Sequence, residues 1–157
     1  MSDNDQLKRF RAAATEFINA VDTAPRLERE TFLATVSHSM AELFSAALLL
    51  PPVKPETDVN ETLLPEDDEL RRSLQEKLGS LDVYWQIFDS TAKQEPVQGS
   101  IAQDISEIYF DLKQSLHQEE TGIPQPDLTF EWRFDFRSHW GRHLLGALTA
   151  IHHRYIE

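Results

Sequence analysis

Residues 127–155 read DLTFEWRFDFRSHWGRHLLGALTAIHHRY, and the fold turns on whether they form one helix. At about 100° per residue, Phe130, Phe134, Trp140, Gly141, Leu144, Leu145, Leu148, Ile151 and Tyr155 gather on one side, as a core-facing stripe does. The opposite side is not polar. It holds Trp132, Phe136, Ala147 and Ala150 beside Asp135, His139, His143 and Gly146. A helix apolar on two sides is buried between neighbours, and Gly141, Gly146, Ala147 and Ala150 let a neighbouring backbone come close. The spacing therefore predicts a central, long C-terminal helix with some of its ionisable groups inside the protein.

Working outward, Gly122, Pro124 and Pro126 break the chain just before this segment, and Asp127 is the expected helix cap. The preceding run places Ile101, Ile105, Ile108, Tyr109, Leu112 and Leu116 at helical spacing, opened by Ser100 and Gln103 in the pattern of a capping box. Tyr84, Trp85, Ile87 and Phe88 form an aromatic burst too short to choose between a helical turn and an extended piece. Residues 89–99 read as a loop, and no β-hairpin signal stands out.

At the other end, Leu7, Phe10, Ala14, Phe17, Ile18 and Val21 recur at three- and four-residue steps. After Pro25, placed for a helix's first turn, a second helix to about Leu50 would bury Leu27, Leu33, Val36, Met40, Leu43, Phe44, Ala47 and Leu48. Residues 5–50 thus predict a helical hairpin. Residues 51–65 predict a Pro-rich crossover lying on the body through Val53, Val59, Leu63 and Leu64. Glu66 to Glu69 then put negative charge at the start of a short helix, which buries Leu70, Leu74 and Leu78 and stops at Gly79. The expected architecture is a single all-α domain of five or six helices.

Composition narrows the function classes. The chain has 157 residues, 40% of them apolar, enough to fold and bury a core. Its net charge of −12 repels nucleic acid and anionic membrane surfaces. The absence of cysteine excludes disulfides, thiol nucleophiles and iron–sulfur clusters. No secretory signal or membrane-length apolar run is present, so a bacterial-type cytoplasmic protein is expected.

Three motifs carry a resemblance: Tyr84-Trp85-x-Ile87-Phe88-Asp89, Asp104-Ile105-x-x-Ile108-Tyr109-x-Asp111-Leu112, and Glu131-Trp132-Arg133-Phe134-x-Phe136-x-x-His139-Trp140-Gly141-x-His143-Leu144. Through them the chain resembles an uncharacterised bacterial family of helical proteins, a domain of unknown function. The resemblance implies an all-helical fold and supplies no activity, substrate or catalytic residue.

The ionisable groups of residues 127–155 admit three readings. In the first, Arg133, Arg142, His139 and His143 are buried and answered by Asp89, Asp104, Asp111, Glu131 or Asp135, because a buried cation left alone is costly. Tyr109 and the tryptophans Trp85, Trp132 and Trp140 would then each send one polar atom into the network. In the second, Trp85, Asp89, Trp132, Arg133, His139, Arg142 and His143 line a pocket for an anionic small molecule. In the third, Asp135, His139 and His143, spaced four apart, hold a metal; the drift of about 80° along a straight helix spreads the outer pair, so no metal or cofactor is assigned. Ser138 beside His139 makes no nucleophile–base pair, no Gly-rich phosphate loop exists, and no catalytic residue is assigned. The reading that results is a non-enzymatic protein that binds another protein, with the N-terminal hairpin or the crossover as its outer surface. The alternative is a small-molecule or metal-binding domain, with or without enzymatic activity, centred on the Arg/His/Trp cluster.

Overall fold

The computed structural model describes residues 1–58, 63–65 and 68–155, with the side chain of Tyr155 excepted. Helix α1 spans Asp3–Asp22, and its first turn is closed by a capping box between Ser2 and Asp5. All six residues of the apolar stripe, Leu7 to Val21, are buried. A short 3-10 turn, Ala24–Arg26, contains Pro25 and leads into α2, Arg29–Leu48. The two helices pack side by side, burying Leu33, Val36, Met40, Leu43 and Ala47; Leu48, expected inside, is exposed at the end of its helix.

Residues 51–58 take no regular structure. Asp127 ties them down, its carboxylate accepting hydrogen bonds from the Glu56 and Thr57 amides and from the Thr57 hydroxyl. Leu64 N–H donates to Gln114 at 2.8 Å, while Leu63 is exposed. Val59, Glu66 and Asp67 lie outside the described residues. Helix α3, Glu69–Leu78, buries Leu74 and Leu78 and ends at Gly79, whose φ of 57° suits a residue without a side chain.

The next segment differs from expectation. Strands β1, Val83–Gln86, and β2, Val97–Ser100, pair antiparallel, with Tyr84 opposite Gly99. Pairing of two four-residue strands across a ten-residue loop leaves little local periodicity, so the sequence pattern hides it. Helix α4, Ile101–Glu120, follows directly. Ser100 caps it by accepting from Gln103 N–H at 3.1 Å. Asp82 adds a further cap, its carboxylate taking the Ala102 N–H at 2.7 Å and the Ser100 hydroxyl at 2.9 Å.

The segment 127–155 is one helical run with a defect. Helix α5 spans Gln125–Asp135, a π turn covers Phe136–Trp140, and α6 continues over Gly141–Tyr155. Pro124, not Asp127, occupies the capping position. The π turn closes when Gly141 N–H reaches the Phe136 carbonyl. A Cβ at position 141 would stand 2.5 Å from that carbonyl oxygen and 2.9 Å from the Phe136 ring, so glycine makes room for the turn.

The buried face of this run is Trp132, Phe136, Trp140, Leu144, Ala147 and Ile151. It lies between the two sides expected from a straight helix: Phe134 and Leu145, placed in the core stripe, are exposed. Within the core, the Phe10 ring sits 5.0 Å from Trp132 and Phe136 sits 4.9 Å from Trp140. Helix α6 packs on α4 and on α2, which gives it the central position expected. No helix among the described residues is long and apolar enough to cross a membrane.

Candidate functional site

Two faces of the helical run formed by the π turn and α6 hold the chemistry. The first looks at α4, where Asp104, Glu107 and Asp111 recur at three- and four-residue steps and so share one face. His143 Nδ1 meets Asp104 at 2.8 Å and His139 Nδ1 meets Asp111 at 2.6 Å. Glu107 stands between them on α4, 3.7 Å from His139 Nε2. His139 in the π turn and His143 in the first turn of α6 lie four apart and on one side, with their imidazole centroids 4.9 Å apart.

Asp104 is 4% exposed and also accepts a hydrogen bond from the Tyr84 hydroxyl. Tyr84 lies in a slot between two glycines: a Cβ on Gly99 would come within 2.5 Å of its ring, and one on Gly146 within 2.5 Å of its hydroxyl. Burial pushes the Asp104 carboxyl above its ordinary range, against the downward pull of His143 and Tyr84. Burial does the same to Asp111, opposed by His139. Burial and the bond to Asp104 hold the Tyr84 phenol well above its usual value, so it stays a donor.

The second face of α6 looks at the β1 end of the hairpin. Between them runs an open groove of about 940 Å³. Its walls expose Val83, Trp85, Ile87, Phe88 and Leu145, and its rim includes Arg142, His153 and Arg154. Arg142 lies over the Phe88 ring at 5.5 Å, and Arg154 donates to the Val83 carbonyl at 2.7 Å.

The residues singled out from sequence are thus divided among separate places. His139 and His143 share the α4 face, whereas Trp85 and Arg142 share the groove. Asp89 sits exposed in the hairpin loop, where Thr91 holds its carboxyl below the usual range. Trp132 is fully buried, its indole N–H donating to the Ser115 carbonyl at 3.1 Å. Arg133 lines a smaller groove of about 260 Å³ with Val53, Phe130, Phe134, Arg137 and Ser138.

The expected network forms for the imidazoles and not for the guanidiniums: among the described residues, no carboxylate comes within ion-pair range of Arg133 or Arg142. A long guanidinium stem can reach outward to water, so its charge need not follow its Cα inside. Nor do the tryptophans all join. Trp140 Nε1 finds no acceptor among the described residues, and Tyr109 pairs with Asp22 at 2.8 Å. Glu107, Val83 and Arg154 escaped the sequence reading, and Leu145 was assigned to the core stripe instead of the groove. For Glu107 the signal was present, in the regular spacing of three acids along α4 opposite a His pair.

Fold and site together define an all-helical protein with one small hairpin inserted before its fourth helix. The fold is shared with a crystal structure of protein BF1032 from Bacteroides fragilis, at a TM-score of 0.80 and 21% identity, covering 97% of this chain and 93% of that one. The chain belongs to the family described as a domain of unknown function, DUF5063, matched over residues 2–157. No curated protein matches it.

Proposed function

We propose that the protein is a binding module for another protein, and that it grips an acidic segment carrying apolar side chains in the groove between the β-hairpin and α6. The observation that carries this reading is an inversion of burial. Trp85 is 70% exposed and Phe88 56% exposed, with Val83, Ile87 and Leu145 beside them, although each could have been packed inside. Contiguous apolar surface of this kind marks interaction sites, and tryptophan and arginine are the residues from which binding hot spots are built. Arg142 and Arg154 make the groove locally positive on a chain of net charge −12, so within the groove an acidic segment is complemented and a basic one is disfavoured.

The groove is open, and a small molecule lying in it would keep much of its surface in water, unlike ligands of enclosed pockets. This favours a polypeptide over the small anionic ligand that the same residue types suggest. The cytoplasm is the compartment this reading assumes.

Selection from a displayed peptide library provides the test. Acidic peptides with aromatic or aliphatic side chains should be enriched, should shift the fluorescence of exposed Trp85, and should bind more weakly as salt rises. Trp85→Ala and Arg142→Glu should each weaken binding by about tenfold or more. Enrichment of no class, or affinity indifferent to both substitutions, would remove the groove as the binding site. Dimerisation of the free protein abolished by Trp85→Ala would replace the acidic partner with a second copy.

A further inference from the structure

We propose that Glu107, His139 and His143 form a site for a divalent transition metal of the zinc class, independent of the hairpin groove. One donor atom from each of the three residues lies within 4.8 Å of the others. Metal–ligand bonds of about 2.1 Å in a tetrahedron separate donors by about 3.4 Å. The 3.7 Å between His139 Nε2 and the Glu107 carboxylate is already close to that spacing and too long for a hydrogen bond. Small side-chain rotations would bring the set together.

The surroundings are those that metal-binding imidazoles require. Each Nδ1 is occupied by a carboxylate, Asp111 for His139 and Asp104 for His143. That leaves Nε2 of each ring available as a donor to a metal, and a carboxylate on the other ring nitrogen orients such an imidazole and raises its basicity as a ligand. Asp104 is in turn held by Tyr84, so the outer shell has its own support.

Charge points the same way. Asp104, Glu107 and Asp111 bring three carboxylates to two imidazoles, an excess of acid over base that a dication between them offsets. The competing arrangement, a network of side chains without an ion, also accommodates Glu107, which lies 3.7 Å from His139 Nε2, and titration with metal separates the two. Solvent reaches the cluster, since the side chains of Glu107, His139 and His143 are 35%, 39% and 21% exposed, which leaves an entry path and room for water as a further ligand.

The test uses the full chain stripped with chelator and titrated with Zn²⁺, then with Co²⁺ as a spectroscopic probe. One ion per chain should bind, and the Co²⁺ adduct should show the visible absorption of an imidazole–carboxylate site. His139→Ala and His143→Ala should weaken Zn²⁺ binding about 100-fold or more, and Asp111→Asn, which alters only the outer shell, by about tenfold. Glu107→Gln, on a half-exposed position that does not threaten folding, should weaken binding while leaving the circular dichroism unchanged. The double change His152→Ala with His153→Ala serves as control and should have no effect. Failure of Zn²⁺ and Co²⁺ to saturate the chain at sub-millimolar concentration would overturn the site. So would binding that survives Glu107→Gln and His139→Ala but is lost in the His152/His153 control.

Discussion

The two faces of the last helix reverse the usual rule of folding in opposite ways. Toward α4 it carries ionisable groups inward and answers them one by one, His139 with Asp111 and His143 with Asp104. Toward the hairpin it leaves Leu145 in water beside Trp85 and Phe88, with Arg142 lying on the Phe88 ring and not on an acid. Maximising stability alone would exchange these choices, because burying polar groups needs partners and exposing apolar ones forfeits hydrophobic stabilisation. Under the two proposals, the difference separates what each face is for: the α4 face sets its imidazoles in fixed pairs that suit a small cation, whereas the hairpin face is broad and open and suits a polypeptide.

The comparison breaks first, and most visibly, at Asp104. It is buried and accepts from both the Tyr84 hydroxyl and His143 Nδ1. Asp104→Ala strands two polar groups and leaves a void, and should cost about 3 kcal/mol in urea-induced unfolding. Asp104→Asn keeps an acceptor and should cost about half as much. A loss below about 1 kcal/mol for the alanine variant would mean the polar face is not held together through this carboxylate.

Gly141 comes next. Glycine to alanine inside a helix ordinarily gains about 1 kcal/mol, but here the added methyl meets the Phe136 carbonyl oxygen at 2.5 Å. Gly141→Ala should therefore lose about 2 kcal/mol, as overpacking does, and thermal unfolding would show the reversed sign. It should also disturb the His139–His143 alignment, visible in the imidazole resonances by NMR. A gain in melting temperature would show that the π turn relaxes to an α-helix without penalty.

That turn also marks where the sequence stopped being legible. The stripes of α1 and α4 could be read directly, because one apolar face against one core leaves a strong local period, and all six α1 positions are buried. The final run announced itself as helical, central and partly polar inside. Its faces were misplaced because a π turn depends on the contact between Gly141 and Phe136, which no period records. The hairpin was invisible for a different reason: Tyr84 finds Gly99 only across a loop, and its hydroxyl finds Gly146 and Asp104 only once α4 and α6 have packed. At the site, His139 and His143 could be singled out by spacing and Trp85 and Arg142 by type. That they belong to two different places could not, since neighbours on one helix diverge toward different partners.

The smallest expected effect decides what the exposed aromatic surface is. Trp85 and Phe88 are 70% and 56% exposed, so little apolar area leaves water when the chain folds around them. Trp85→Ala should consequently change unfolding free energy by less than about 0.5 kcal/mol, the range of surface substitutions far from special features, even though it removes the largest side chain of the groove. The same substitution is expected to weaken partner binding about tenfold. A residue kept for folding would show the opposite ratio, with stability falling by about 2 kcal/mol or more. In that case Trp85 would be a fastening for the hairpin, and the contrast between a paired polar face and an open apolar one would collapse into two versions of structural packing.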